Sequence, residues 1–532
     1  MTLSHFGSTE TLKDPVVSEN SVTSSPTLAP SVKKDLSLPS TPAESIYLEC
    51  QTPPPSPYHV FPRSRKLLIV CIVSSAAIFS PLSSNIYFPA LSDIADQLDI
   101  SISLATLTVT IYMIVQGVAP SFWGSFSDVL GRRVIFIGTF GVYIISNIAL
   151  AVSTNYGELM AFRALQAAGS AATISIGAGV IGDITTSAER GSLVGIFGGV
   201  RMLGQGIGPV FGGILTHYLG FRSIFWFLVV ASSISLLTII FFLPETLRPI
   251  AGNGTVPLKG IHKPWIYSIR GQKDAKQDST PTEKKTKVTP KTVLAPLTFL
   301  AEKDVFITLL FGSIVYTVWS MVSSSTSALF EEKYGLNSME VGLTFLGNGF
   351  GCMSGSYTIG YLMDFNHKRT EREYCQQHNL PIDTRINSKT HPDFPIEYAR
   401  MRNTWWITAI FVVCVAVYGV SLRTHLAVPI ILQFIIAYGS TAIFTINSAL
   451  VIDLYPGASA SATAVNNLMR CLIGAAGVAA VQPMIDALTA QFAFALLAGI
   501  TVAMIPLLMV EMKWGYKWRL ERYERLQKGR SG

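Results

Sequence analysis

Arg163, Arg201 and Arg470 stand in the middle of long apolar stretches. A charge at that depth in a bilayer is costly enough that it normally faces a cavity and serves function. A guanidinium forks onto a carboxylate through two parallel hydrogen bonds, so a cavity that holds arginines and no facing carboxylate suits an anion that brings carboxylates of its own. The acidic residues Glu158, Asp453 and Asp486 fall near the ends of their stretches, and the first stretch, which could have offered a carboxylate, has Ser83-Ser84-Asn85. Helical spacing groups the arginines with polar neighbours. Arg201, Gln205 and Gly208 recur at i, i+4, i+7; Asn466, Arg470 and Gly474 follow the same pattern; Tyr316, Ser320 and Ser324 form one row. The expected polycarboxylate site is therefore Arg201, Gln205 and Arg470, completed by Tyr316, Ser84, Ser324 and Asn466. The competing reading has the arginines satisfying helix carbonyls or capping helix ends, with Tyr316 a core aromatic. His217, near the end of its stretch, reads as an interfacial residue.

The composition places these residues in lipid. The chain has 532 residues, 49% hydrophobic and 14% charged, with a mean hydropathy of +0.42, whereas soluble chains are roughly a quarter charged. A net charge of +7 alone would suit nucleic acid. The basic residues, however, lie in loops and tails between apolar blocks, as expected where cytoplasmic loops are enriched in Lys and Arg, so no nucleic-acid partner is expected. The six cysteines are scattered without a CxxC pair, which implies neither a disulfide framework nor a metal site. No nucleophile-base constellation, P-loop or Walker motif occurs, so the pattern argues against an enzyme and an ATP-driven pump and calls for no cofactor.

Twelve stretches of about 20 apolar residues, each long enough to cross a bilayer, begin near Leu67. They divide the chain into a Ser/Thr/Pro-rich tail (1–66) expected to be disordered, a six-helix bundle (67–243), a polar linker (244–303), a second six-helix bundle (304–510) with an insertion at 364–402, and a tail (511–532). The expected fold is an all-α polytopic membrane protein of two pseudo-symmetric halves. Arg132, Arg133, Lys284, Lys285, Lys287, Lys368, Arg369 and Lys513 sit on one side, while Asp93, Asp96 and Asp99 follow the first helix; both termini are thus expected in the cytoplasm. The halves echo each other. Gly124-Ser-Phe-Ser-Asp128-Val-Leu-Gly131-Arg132-Arg133 has a weaker counterpart in Gly360-Tyr-Leu-Met-Asp364-Phe-Asn-His-Lys368-Arg369, and Arg201-Met-Leu-Gly204 one in Arg470-Cys-Leu-Ile-Gly474.

The segment Gly124 to Arg133 resembles the signature loop of the major facilitator superfamily. Arg163-Ala-Leu-Gln-Ala-Ala-Gly169 resembles its fourth-helix motif, and Gly204-Gln-Gly-Ile-Gly208-Pro209-Val-Phe-Gly212-Gly213 its antiporter motif on the fifth. With Leu243-Pro-Glu-Thr246, the pattern over 67–510 is similar to the fungal twelve-spanner drug:proton antiporters and, more distantly, to yeast dityrosine and quinidine-type exporters. The runs 80–91, 163–184 and 198–213 are most similar to the citrate exporters of filamentous fungi. The resemblance implies alternating access, monomeric function, a conformational latch at Gly124, Asp128, Gly131, Arg132 and Arg133, and proton coupling linked to Arg163. The charges of this loop are expected to make a latch that closes the inner side and breaks when the halves rock, with Gly124 allowing close helix approach and Arg132 and Arg133 anchoring at the anionic leaflet. In the competing reading the two arginines only set topology. The glycines of the fifth-helix motif, Gly204, Gly208, Gly212 and Gly213, read chiefly as packing positions with a kink at Pro209, a packing that is expected to bear on coupling by sealing the path against leak. The expected activity is export across the cell membrane of an organic anion, citrate or a related carboxylate, with a multidrug or secondary-metabolite proton antiporter as the alternative. An inside-negative potential already drives such an anion outward, at about 2.3 kcal/mol per charge per 100 mV.

Overall fold

The computed structural model describes residues 59–185, 187–254, 256–258, 260–266, 295–381, 393–455 and 459–531. Most of the N-terminal tail, the basic run around Lys284 and part of the 364–402 insertion lie outside them.

The described residues form helices α1 (Arg63–Gln97), α2 (Ile102–Leu130), α3 (Arg132–Val152), α4 (Tyr156–Ile184), α5 (Ser187–Leu219), α6 (Arg222–Phe242), α7 (Lys303–Tyr334), α8 (Ser338–Gln377), α9 (Thr404–Ser421) and α10 (Ala427–Leu454). A last helical run, Ser459–Ser531, turns at Thr489, whose φ of +68° no helix interior adopts. It is therefore two helices, α11 (459–488) and α12 (490–531), which makes twelve of membrane-spanning length. α8 falls short on apolarity because glycine, serine and asparagine fill its middle. α1 starts at Arg63, four residues before the apolar run. It is interrupted at Ile78 and again at Ile86–Tyr87, three residues or fewer ahead of Pro81 and Pro89, each of which removes an N–H and crowds the preceding turn.

Caps set several boundaries. The Asn155 side chain accepts the amide of Glu158 at the start of α4, and Asn337 with Glu340 forms a reciprocal capping box at the start of α8. Ahead of α1, Val60 donates to the Asn253 carbonyl. His59 is buried beside Lys66, Arg248 and Arg65, and burial together with these cations pushes its imidazole down to about 4, so it is neutral.

Within the first half α1 packs on α4 and α5, and α3 on α4 and α6; within the second, α8 packs on α10, α7 on the α11–α12 run, and α9 on α10 and that run. The halves meet through α5 with α8 and α2 with α11. The glycines of α5 explain both contacts it makes. Gly204, Gly208 and Gly212 face α1: a methyl on Gly204 would lie 2.8 Å from the Ile78 carbonyl oxygen, and one on Gly212 would overlap the Ile86 carbonyl. Gly206 and Gly213 face the other way, onto Gly349 and Gly342 of α8. Small residues on both partners let backbones approach in a medium that supplies no hydrophobic drive between helices.

A Gly212→Ala variant is expected to lose folded protein sharply, because an overpacked backbone contact costs about 1–3 kcal/mol or more. Gly138→Ala, where a methyl meets open space, should match the parent. Thermal melts of the solubilised proteins by fluorescence-detected gel filtration measure the difference, and equal melts would contradict the packing account.

Candidate substrate site

Arg201 on α5 and Arg470 on α11 come from opposite halves, and each is partly accessible. Their charges are close enough to repel. Among the described residues neither forms an ion pair, and no carboxylate acts on either. Arg470 donates to Asn467 Oδ1 at 2.7 Å and more weakly to Cys471 Sγ at 3.7 Å. Its guanidinium lies 4.6 Å over the Tyr316 ring and 5.0 Å over Phe444, and its Nε is buried without a partner. Aromatic faces hold a cation by its charge while leaving N–H groups free for an anion in the plane. Gly474 makes room for this arrangement: a methyl there would press on Met113 and on Tyr316, 3.1 Å from its ring.

The other expected site residues divide. Gln205 and Ser84 are half-buried on α5 and α1. Pro209 has no N–H to give the Gln205 carbonyl, which leaves that acceptor available. Asn466, by contrast, is buried and donates to Ser448 at 2.8 Å, and the Ser324 hydroxyl is spent on the Met321 carbonyl of its own helix. Asn467, not Asn466, holds Arg470 and also donates to the Gln116 carbonyl across the halves at 3.0 Å. The i, i+3 spacing of Asn467 and Arg470 was available in the sequence; the facing Gln116 was not.

From Gln116 a polar chain runs into the first half. Its amide nitrogen donates to Ser80 Oγ at 3.0 Å, and Tyr112 donates to the Ser80 carbonyl and shares a 2.8 Å bond with Ser170. Arg163 lies at the end of this chain, fully buried between the faces of Tyr87 and Tyr112 at 4.1 and 4.5 Å. One of its nitrogens donates to Gln166 at 2.7 Å and the Ser83 carbonyl at 3.3 Å, and the other two have no partner. At the equivalent place in the second half stands Gln433, donating to Thr326 and Tyr418, both at 2.8 Å. The halves thus match in architecture and differ in charge.

The signature loop forms a buried latch. Arg132 pairs with Asp128 at 2.5 Å and Asp183 at 3.0 Å, and Ser127 accepts from it at 2.7 Å. Arg133 does not reach a leaflet surface. It is 2% exposed and donates to the carbonyls of Ile239, Ile240 and Leu243, which end α6, and to Ile261, the favoured use of a cation at a helix C-terminus. Glu245 is the counterpart at the start of α3. Fully buried, it accepts the backbone amides of Arg132, Arg133, Thr246 and Leu247 and the ring of His262. Gly131, at φ +106°, has Glu245 against the place a Cβ would occupy. Gly124 is different: a methyl there would sit 3.8 Å from Ser175, an ordinary contact.

The second-half echo does not repeat this latch. Its helix, α8, runs straight on to Gln377 without a turn, Asp364 forms no ion pair among the described residues, and Arg369 pairs with Glu373 one turn away. The structural partner of Arg132–Asp183 is Arg400–Asp453 at 2.8 Å, displaced in sequence by the insertion.

The two halves are closed at the face opposite the latch. Phe88 stacks on Phe345 with centroids 6.1 Å apart, Ser327 donates to the Phe88 carbonyl at 2.7 Å, and Ser338 donates to Asp93 at 2.5 Å. On the α5–α8 seam Gly213 meets Gly342 and Gly206 meets Gly349; carried on in the same register it would set Gly199 near Ser356 and Gly195 against Gly360. Those three glycines meet open space instead. α5 and α8 therefore part towards the latch face, and the arginine pair lies between a closed end and an open one.

The sequence profile of the Major Facilitator Superfamily matches residues 73–372. The chain belongs to that superfamily. It is 72% identical over 489 residues to Citrate exporter 1 of Aspergillus niger, covering 92% of this chain and 93% of that one. The MFS antiporter QDR2 of Candida albicans is 32% identical over 453 residues, with 84% and 88% covered. Among solved structures, the human organic anion transporter MFSD10 superposes with a TM-score of 0.52 at 15% identity, covering 84% of this chain and all of that one, a likeness of fold. This superfamily member is a multi-pass membrane transporter and not an enzyme.

Glu245→Ala is expected to lower the melting temperature by several degrees, because buried amides left unpaired cost about 1–3 kcal/mol each. Asp364→Asn should not. A Glu245→Ala melt equal to the parent's would contradict the role assigned to Glu245.

Proposed function

We propose that this transporter exports citrate or a closely related polycarboxylate across the cell membrane, with both tails in the cytoplasm. The observation that carries the reading is the Arg201–Arg470 pair, two guanidinium groups from opposite halves with no carboxylate to answer them. Two such forks suit two carboxylates held across the cleft. Bridging the halves in this way gives the substrate a part in closing them. The 72% identity to an Aspergillus citrate exporter supports the same substrate class.

In this reading the six-helix halves rock about the arginine pair as a monomer. The structure's cleft, open on the latch face, is the state that loads from the cytoplasm. The Arg132–Asp183 and Arg400–Asp453 clamps hold the helix ends of each half rigid while the halves part. Export down the membrane potential needs no proton, and no carboxylate lies beside the pair to carry one. A second reading, a drug or metabolite antiporter, is favoured by the 32% identity to a Candida antiporter and by the aromatic surfaces of Tyr316 and Phe444 that flank Arg470.

Expression in a yeast that secretes no citrate, with organic acids profiled in the medium, separates the readings. Citrate is expected to accumulate with the parent and to fall at least tenfold with Arg201→Ala or Arg470→Ala at equal surface abundance. Citrate release retained by both variants would overturn the site, and drug tolerance without acid release would favour the second reading.

A further inference from the structure

The charge balance of the cleft bears on how the carrier returns after unloading. Arg201 and Arg470 contribute two positive charges, and the buried carboxylate pairs of the described residues are made elsewhere, among them Asp183 and Glu245 in the latch, Asp304 and Glu397 near the corresponding end of the second half, and Asp93 at the closed face. Buried Arg163 adds a further positive charge without a counter-ion in the first half. The neighbours of the pair, Tyr316, Phe444, Asn467, Cys471 and Gln205, are uncharged at neutral pH. An empty cleft of this kind feels the membrane potential when it changes the side it faces, while a cleft filled by a dianion presents no net charge.

Resting on the citrate reading, we propose that the transported species is a dianion bearing two carboxylates, that the loaded carrier crosses as a neutral unit, and that the membrane potential acts on the return of the empty, doubly positive cleft. Moving two positive charges from outside to inside on the return equals moving two negative charges out, so the cycle balances as electrogenic export with no co-ion. An inside-negative potential also favours the empty carrier open to the cytoplasm, ready to load. Monocarboxylates leave one positive charge unanswered and are poor substrates. A proton antiporter would instead need a group that takes up and releases protons near neutral pH beside the arginines, and the side chains in contact with Arg470 include neither a carboxylate nor a histidine.

The test uses the full-length protein in liposomes with labelled citrate and a potassium–valinomycin clamp. Exchange, with citrate on both sides, uses only loaded carriers; net efflux into citrate-free buffer requires the empty return. Between 0 and −100 mV, exchange is expected to stay within twofold while net efflux rises roughly five- to tenfold, as about two charges crossing part of the field demand. A pH gradient at clamped potential should act only through the fraction of citrate present as the dianion, and alike on exchange and on net efflux. Exchange as voltage-sensitive as net efflux, or net efflux indifferent to voltage, would overturn the proposal. Citrate that moves in neither format would instead refute the citrate reading itself.

Discussion

Two like charges held near each other in a low-dielectric cleft, with no carboxylate among the described residues to neutralise them, are the constraint around which this structure is arranged. Arg201 and Arg470 repel, and each pays for its removal from water. The fold tolerates this because the two charges belong to different bodies and because one of them is cushioned by the ring faces of Tyr316 and Phe444. The partners that stabilise other arginines, Asp183 for Arg132, Asp453 for Arg400 and Glu397 for Arg519, are withheld here. Arg163 also lacks a carboxylate, but it is fully buried between tyrosine faces, whereas Arg201 and Arg470 are partly accessible, which is why the proposed ligand is one that supplies the missing charge to these two.

Backbone packing sets where the pair can sit. The glycines of α5 bring α1 to one side and α8 to the other within contact distances that a single methyl would violate, so Arg201 is carried on the helix that touches both halves. Its counterpart is carried by α11, whose Asn467 bonds to α2. The seams α5–α8 and α2–α11 thus carry both arginines, and under the proposed function a substrate that draws them together would act directly on the surfaces that must move. Rigid ends are the complement of mobile seams. The latch, with Glu245 capping α3 and Arg133 capping the end of α6, ties the helix ends at this face of the first half into one body.

Much of this was legible in the sequence, for physical reasons. Lipid demands apolar runs of fixed length, so the twelve helices stand out; a buried charge in such a run is conspicuous, so Arg163, Arg201 and Arg470 do as well. What the sequence obscured were contacts that depend on distant partners. Asn467 and Asn466 are adjacent and chemically identical, and only the position of Gln116 decides which holds Arg470. No role for Asp183 or Glu245 was legible in the sequence, because only the turn at Gly131 brings the start of α3 to them. The echo at Asp364 was misleading because the insertion after it moved the working arginine to Arg400, and sequence similarity followed the motif while structure followed the ion pair.

The measurement that tests the central claim most directly is equilibrium binding of labelled citrate to the purified protein, with competition by unlabelled acids and by an apolar drug cation. The account predicts saturable binding displaced by di- and tricarboxylates, little displacement by a monocarboxylate or the cation, and loss of binding in Arg201→Gln and Arg470→Gln proteins that melt like the parent. Binding that survives in both variants, or a cation that competes as well as a dicarboxylate, would contradict it.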